Sequence, residues 1–362
     1  MMAGMADPST AAGASAVFLD SARQAEFDTQ GYTTIPLLDA DEVQALLDGY
    51  AALVPEADED HIAFDFTRDD RTVMEGTLKL LQPVFARKVP EHFVDHEAVF
   101  WTFVIKPPGP HSGMALHDDR TYVDEGSGRA CTVWVPLVDT SPDLDNGYLC
   151  VVAGSHRIMP VASGTTVPNW FEPYDQYLKD HSQRVAVPAG TALIYDSHTV
   201  HWSPPNLSDQ VRPAIAAAVV PAGAQIVHVV GEGLHTRRVY AVDPQFYVDF
   251  HPTAIEAGMP DRYPLIREYE ELRIDATPEA IAAAIGADDL PVPTGPVEAP
   301  VPRTYQPGQD EHVSGAVAVD ETSAPAEVAV PEVAVPNAAE ETPAVSRSRS
   351  LLSRLKRLVA VR

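Results

Sequence analysis

The stretch Met114-Ala115-Leu116-His117-Asp118-Asp119-Arg120-Thr121-Tyr122 sets an imidazole and a carboxylate two residues apart in an extended context. In a strand, residues i and i+2 point the same way, so His117 and Asp119 present one nitrogen and one oxygen toward the same point. These are two of the three donors of the two-histidine, one-carboxylate face that holds Fe(II) with open positions. The third donor is expected at His201, within Tyr195-Asp196-Ser197-His198-Thr199-Val200-His201-Trp202-Ser203. His198 competes for the role, but three residues along a strand it faces the other way.

A donor set drawn from two distant extended segments needs a fold in which short strands converge. Phe100-Trp101-Thr102-Phe103-Val104-Ile105-Lys106 opens a series of such segments, continued at 115–116, 132–137, 148–152, 183–187, 192–195 and 214–220 and separated by Pro, Gly, Asn and Asp clusters. Many short strands with turn punctuation predict a mainly β architecture, a jelly roll whose open end can hold a ligand. Flanking helices are expected before it. One stops near Gly31, and after a strand from Tyr32 to Leu38 another is capped by Asp39 or Asp41 and carries Val43, Leu46, Leu47 and Tyr50 at helical spacing. Residues 71–84 read as a further helix or two, with the next around 90–95. The insertion 159–182, with Trp170, Phe171, Tyr174 and Tyr177, reads either as a lid over substrate or as a peripheral satellite core. After Val227 the strand pattern gives way to 239–250, a helical region over 264–272 and an Ala-rich helix over 278–285.

With 362 residues, 45% of them hydrophobic, the chain can build a sizeable core. Four segments are expected: a disordered start over 1–15, a catalytic domain over 16–290, an acidic Pro/Ala/Val/Glu-rich linker over 291–346 and a basic amphipathic helix over 347–362. The net charge of −27 argues against a nucleic-acid partner, because phosphate backbones are bound by basic surfaces. No apolar run is long enough to span a bilayer and no secretory leader is read, while Cys131 and Cys150 are too few for a disulfide framework. A cytoplasmic setting is expected. The exception to the acidity is the end: six of the 25 Lys and Arg lie in 347–362 with no acid, and Leu351, Leu352, Leu355, Leu358 and Val359 recur at helical spacing. Such a segment reads as a dock on a membrane surface or a protein partner.

Downstream of His201, Ser203 and Arg212 follow the proposed donor, and an arginine at the start of a strand behind a metal site suits a dicarboxylate, which its planar fork can pair bidentately. With these residues the chain resembles the phytanoyl-CoA dioxygenase family of Fe(II)/2-oxoglutarate-dependent oxygenases. The resemblance runs from Phe27 to Val220 through Gly31-Tyr32, His117 to Asp119, Thr132 to Asp139, Asp145 to Arg157 and His201 to Arg212. It implies a double-stranded β-helix, cupin-like core and Fe(II) held by His117, Asp119 and His201. It also implies 2-oxoglutarate held by Arg212 and Ser203, and use of O2 to hydroxylate an aliphatic C–H with release of succinate and CO2. The substrate would be a small metabolite, a carrier-bound acyl or aminoacyl group, or a lipid. Asp119 is a carboxylate, and related halogenases replace it, so halogenation is not expected. Lys106 and Trp134 are candidates for lining the co-substrate pocket, and Arg120, Tyr122, Trp170 and Trp202 for touching substrate. Asp118 is expected to face away from the metal, and His156 to stabilise its own loop. Two other classes are compatible with the fold: a metal-binding cupin-like protein that does not activate oxygen, and a scaffold acting through its tail. Neither requires Arg212.

Removing 347–362 should lower co-sedimentation with anionic vesicles without abolishing activity on a soluble substrate. Unchanged sedimentation would discard the membrane reading.

Overall fold

The computed structural model describes residues 16–291 except 55–60, 66–70, 125, 159–161, 165, 250–257 and 272–276. The expected start over 1–15, nearly all of the linker and the basic segment 347–362 lie outside the described residues. Ten strands build the centre: β1 (Tyr32–Pro36), β2 (Ala63–Phe64), β3 (His96–Lys106), β4 (Met114–His117), β5 (Cys131–Pro136), β6 (Leu149–Val151), β7 (Gln183–Val185), β8 (Thr191–Asp196), β9 (His201–Ser203) and β10 (Arg212–Pro221). They form a six-stranded sheet in the order β1-β8-β5-β10-β3-β2 and a four-stranded sheet in the order β4-β9-β6-β7. From β3 to β10 the chain passes repeatedly between the two sheets, the winding of a double-stranded β-helix. The expected jelly roll is the fold.

Strand alternation decides what each sheet buries. On the large sheet Phe103, Ile105, Val133, Val135, Ile194, Ile215, Ala217 and Val219 face the helices α1 (Ser21–Gln30), α2 (Ala40–Leu53) and α3 (Arg71–His92). The intervening residues, Val104, Trp134, Leu193, Tyr195 and Ala214, face the small sheet and pack with Leu149 and Val151. The helices start and stop where local chemistry says. Asp20 accepts from the Ala22 and Arg23 amides at the start of α1, Gly31 takes φ 81° at its end, and Asp39 with Glu42 forms a capping box on α2.

Two expectations are corrected. Residues 71–92 form one helix, not two or three, although Pro83 and Pro90 lie inside it. Both prolines are on the exposed face, while Val73, Thr77, Leu81, Phe85 and Val89, four apart, hold one continuous stripe against the sheet. Packing of that stripe carries the helix through both positions. The strands also do not give way after Val227: β11 (Val227–Glu232), β12 (Thr236–Ala241) and β13 (Leu265–Glu270) form a third, antiparallel sheet. The expected helix over 264–272 is therefore β13. Its charges pair across strands, Glu268 with Arg238 at 2.7 Å and Glu270 with Thr236 at 2.9 Å, rather than along one helical face. The region 239–250 holds the end of β12 and a short helix α5 (Phe246–Asp249).

The described part of the insertion settles as a satellite core. A helix α4 (Asp175–Asp180) and the later α6 (Pro278–Ile285) enclose Phe171, Leu178 and Ile281 against Leu116, Val152 and Val200 on the outer face of the small sheet. Among the described residues no helix is long and apolar enough to cross a membrane.

Phe85 is 0% exposed between α3 and the large sheet. Phe85→Ala is expected to lower the unfolding free energy by about 3–5 kcal/mol, and Arg71→Ala, on the exposed helix surface, by much less. Chemical denaturation of the two variants checks the order.

Candidate metal and co-substrate site

The first donor is aimed by an irregularity. β4 pairs with β9 as Met114 with Ser203 and His117 with His201, so β4 carries one extra residue between these pairs. The bulge turns Leu116 outward into the satellite core and His117 inward, opposite His201. β4 ends at His117, so Asp119 is not presented by strand alternation as expected. It is held instead by its own N–H, which donates to the Ser197 carbonyl at 3.0 Å. His117, Asp119 and His201 offer donor atoms within 4.8 Å of one another, with His201 Nε2 4.0 Å from Asp119 Oδ1 and the two imidazole centroids 4.1 Å apart.

Both imidazoles are oriented from behind. His117 Nδ1 lies 2.8 Å from the Ala115 carbonyl and His201 Nδ1 2.9 Å from the Thr199 carbonyl, each two residues back along the chain. A carbonyl only accepts, so each Nδ1 carries the proton and each Nε2 the lone pair, the arrangement a metal requires. Asp119 Oδ2 accepts from the Thr132 hydroxyl. Tyr195, opposite Thr132 in the β5–β8 register, places its ring 4.4 Å from that of His201. Burial first, and then Asp119, raises the Tyr195 phenol well above its ordinary range, so it stays neutral. Thr132 and Tyr195 were not expected at the site. The signal was present in Thr132 and Trp134 being two apart on a strand, but the register that brings Tyr195 to Thr132 is not local.

Toward the other end of the sandwich lie two buried cations. β10 pairs with β3 so that Arg212 is opposite Lys106, and the two are 1% and 0% exposed. Lys106 Nζ donates to Ser203 Oγ at 2.6 Å and to the Pro204 carbonyl at 2.7 Å. Arg212 stacks over Trp134 at 5.4 Å, and its Nε and Nη1 are buried with no hydrogen-bond partner. Burial pushes the Arg212 guanidinium down to about 9. Lys106 is lowered well below the ordinary range by burial first and by Arg212 second. Neither has a carboxylate partner among the described residues. Gly147, at φ +72°, lies against the Lys106 stem, where any Cβ would overlap it. After Arg212 the inward positions of β10 are Ala214, Ala216 and Ala218, small side chains that leave room between the cations and the triad.

The remaining expectations divide. Lys106, Trp134, Ser203 and Arg212 come together. Trp202 alternates away from His201 and Ser203, donating Nε1 to Ser182 Oγ at 3.0 Å, and Trp170 packs edge-on to Phe171. Both tryptophans pack against the satellite core on the outer face, apart from the triad and the two cations. Tyr122 lies within electrostatic reach of Asp119, Arg120 and Tyr195. His198 pairs with Asp196 at 3.3 Å, and His156 Nε2 lies 3.2 Å from the Asp28 carbonyl in its loop. Asp118 turns away from the triad and accepts from Ser163 Oγ at 3.1 Å, its carboxyl pushed up to about 6 by burial.

The donor set and the cations fit the groups the sequence implied: two imidazoles with one carboxylate for a divalent iron, and two buried cations without a carboxylate partner among the described residues for a dicarboxylate. Residues 27–214 match the family model described as phytanoyl-CoA dioxygenase (PhyH). Among solved structures the chain is similar to SnoK, a non-haem alpha-ketoglutarate-dependent carbocyclase from nogalamycin biosynthesis, at 23% identity over 57% of this chain and 86% of that one, TM-score 0.43. It is also similar to EvdO2 from Micromonospora carbonacea var. aurantiaca complexed with 2-oxoglutarate, at 18% identity over 56% and 91%, TM-score 0.39. A third is HygX from Streptomyces hygroscopicus with nickel and 2-oxoglutarate bound, at 16% identity over 57% and 88%, TM-score 0.41. No curated protein matches the chain.

Thr132→Val keeps the shape of the side chain and removes the hydrogen bond to Asp119 Oδ2. Loss of such a supporting contact is expected to weaken Mn(II) binding by about ten- to a hundredfold, read by calorimetry. Unaltered affinity would show that Thr132 does not position the carboxylate.

Proposed function

The chain belongs to the phytanoyl-CoA dioxygenase family of 2-oxoglutarate-dependent non-haem iron oxygenases. From that membership we propose that it hydroxylates an aliphatic C–H of a small metabolite, a carrier-bound acyl or aminoacyl group or a lipid-like substrate, using O2 and releasing succinate and CO2. One observation carries the co-substrate part of the reading. Arg212 is fully buried, two of its nitrogens lack a partner, and the neighbouring cation, Lys106, is buried as well. Burying an unpaired charge costs several kcal/mol, and a carboxylate delivered by a ligand offsets that cost.

In this reading His117 Nε2, Asp119 and His201 Nε2 hold Fe(II). Bound there, the ion supplies oxygen activation coupled to oxidative decarboxylation of 2-oxoglutarate. The chain's own groups do the rest. Arg212 engages the distal carboxylate of 2-oxoglutarate, with Lys106 beside it and the Ser203 hydroxyl held by Lys106 Nζ. Ala214 and Ala216 leave space for the body of the molecule between the cations and the triad. Trp134 covers the guanidinium and Tyr195 covers His201, so both ends are shielded from bulk water, which strengthens the charge pairing inside. The substrate C–H then approaches from the remaining open side, near Asp119 and Tyr122.

Anaerobic addition of Fe(II) and 2-oxoglutarate should give a weak visible charge-transfer band, lost in His117→Ala and weakened in Arg212→Ala. At about a hundred times its Kd, 2-oxoglutarate should also stabilise the wild type by about 2.7 kcal/mol, but not Arg212→Ala. No band in folded, iron-loaded protein would sink the reading.

A further inference from the structure

Beyond the co-substrate pocket, the end of the sandwich next to Asp119 holds a second pair of polar groups that no group among the described residues satisfies. β11 runs beside the segment that follows Asp119: the Val227 N–H donates to the Tyr122 carbonyl at 2.9 Å, and Ile226 bridges to Val123. Alternation sends Val227 and Val229 into a separate cluster with Val167 and Val239, and turns His228 toward the end cluster that contains Tyr122, Phe246 and Tyr247. The imidazole is 1% exposed, its centroid lies 4.9 Å from that of Phe246 and 6.4 Å from that of Tyr247, and its Nε2 is buried with no hydrogen-bond partner. Arg120, adjacent to the metal carboxylate in sequence, has no ion pair or hydrogen bond among the described residues. It is close enough to disfavour a proton on His228, and together with burial, the larger effect, it holds the imidazole down at about 3, so that His228 is neutral.

A histidine packed only to fill space would do better as phenylalanine here. Its neighbours are aromatic, and a buried nitrogen without a partner costs about 1–3 kcal/mol. The imidazole instead brings one neutral N–H or lone pair within electrostatic reach of Arg120, a guanidinium with no partner among the described residues, which supplies a charged planar fork. Phe100 and Tyr122, stacked at 6.4 Å with 23° between planes, and Tyr247, 5.3 Å from Tyr122, wall the same end with flat apolar surface. Resting on the oxygenase reading above, we infer that Arg120 and His228 form the substrate-recognition pair and that the substrate is an organic oxyanion, a carboxylate or phosphate ester, on an apolar ring-bearing body. The acid group sits between Arg120 and His228, the rings lie against Phe100 and Tyr122, and the carbon to be oxidised is turned toward Asp119. His228 comes from the third sheet, so that sheet completes the substrate site rather than merely capping the barrel.

The probes are 2-naphthoate, 2-naphthyl phosphate and the uncharged 2-naphthamide, with binding followed by naphthalene fluorescence. Mn(II) and saturating 2-oxoglutarate are present so that Arg212 is already engaged. The wild type should bind at least one of the two anions at least tenfold more tightly than the amide. The tighter of the two anions identifies the group as carboxylate or phosphate. Arg120→Gln should bring the ratio of anion to amide affinity close to one. His228→Phe, which keeps the aromatic packing, should reduce the ratio severalfold, and His228→Gln, which restores a donor, should recover part of it. Equal binding of anion and amide by the wild type overturns the inference, as does a preference kept in Arg120→Gln or lost only in Arg212→Ala. The charge-transfer band is read on the same wild-type protein. A missing band removes the oxygenase reading, whereas a normal band with no anion preference removes only the recognition pair.

Discussion

Two positive charges face each other across one strand pair inside this protein, and much of the architecture can be understood from what they require. Lys106 and Arg212 are opposite in register and sealed from water, and no carboxylate among the described residues answers them. In a hydrophobic core such a pair would be replaced by apolar residues, since desolvation exceeds any gain when the opposing charge is missing. Here the cost is tolerated by rigid surroundings. Lys106 is tied to Ser203 and Pro204, its stem lies against Gly147, and Arg212 lies flat over Trp134. A guanidinium already held in place loses little freedom when a carboxylate arrives, so most of the attraction is available for binding.

The large sheet separates stability from chemistry by parity. On β10 the residues Ile215, Ala217 and Val219 serve the helical layer, and Arg212, Ala214, Ala216 and Ala218 serve the interior. The same division runs along β5, where Val133 and Val135 meet the helices while Thr132 and Trp134 meet the site. The helical side can therefore be packed densely while the interior stays under-filled with small side chains. Because side chains change face at every residue, a slip of β10 by one residue against β3 would turn Arg212 into the helix interface, where no described carboxylate could satisfy it. That charge thus penalises the wrong register, as the apolar residues favour the right one.

Legibility in the sequence followed the range of the interactions. Eight of the ten central strands could be read because their alternation and turn residues are local, and α1 and α2 because Asp20, Gly31, Asp39 and Glu42 act within one turn. His117, Asp119 and His201 could be read as donors because residue type limits metal ligands severely. The reason His117 and Asp119 converge was misread: a bulge in β4 and the Ser197 carbonyl do what simple alternation was expected to do. β13 was taken for a helix because the charges in Leu265–Glu270 fit an amphipathic surface as well as they fit a strand, and only Arg238 and Thr236 on a different strand decide between them. Trp202 suggests a place at substrate only through its nearness to His201 in sequence. A residue next to a ligand on a strand is, by that position, on the opposite face.

The last of these points explains how positions around the triad divide their work. His117 and His201 each have an immediate neighbour that leaves the site, Leu116 and Trp202, and both neighbours join the satellite core that α4 and α6 close from outside. The outer core therefore acts on the site through backbone position. Its packing fixes the backbone whose carbonyls, at Ala115 and Thr199, set the proton on each Nδ1. Loosening that core would disturb the two hydrogen bonds that keep both Nε2 lone pairs pointed inward before it removed any donor. The described part of an insertion that sequence alone allowed to be a lid packs behind both histidine-bearing strands, against Leu116 and Trp202.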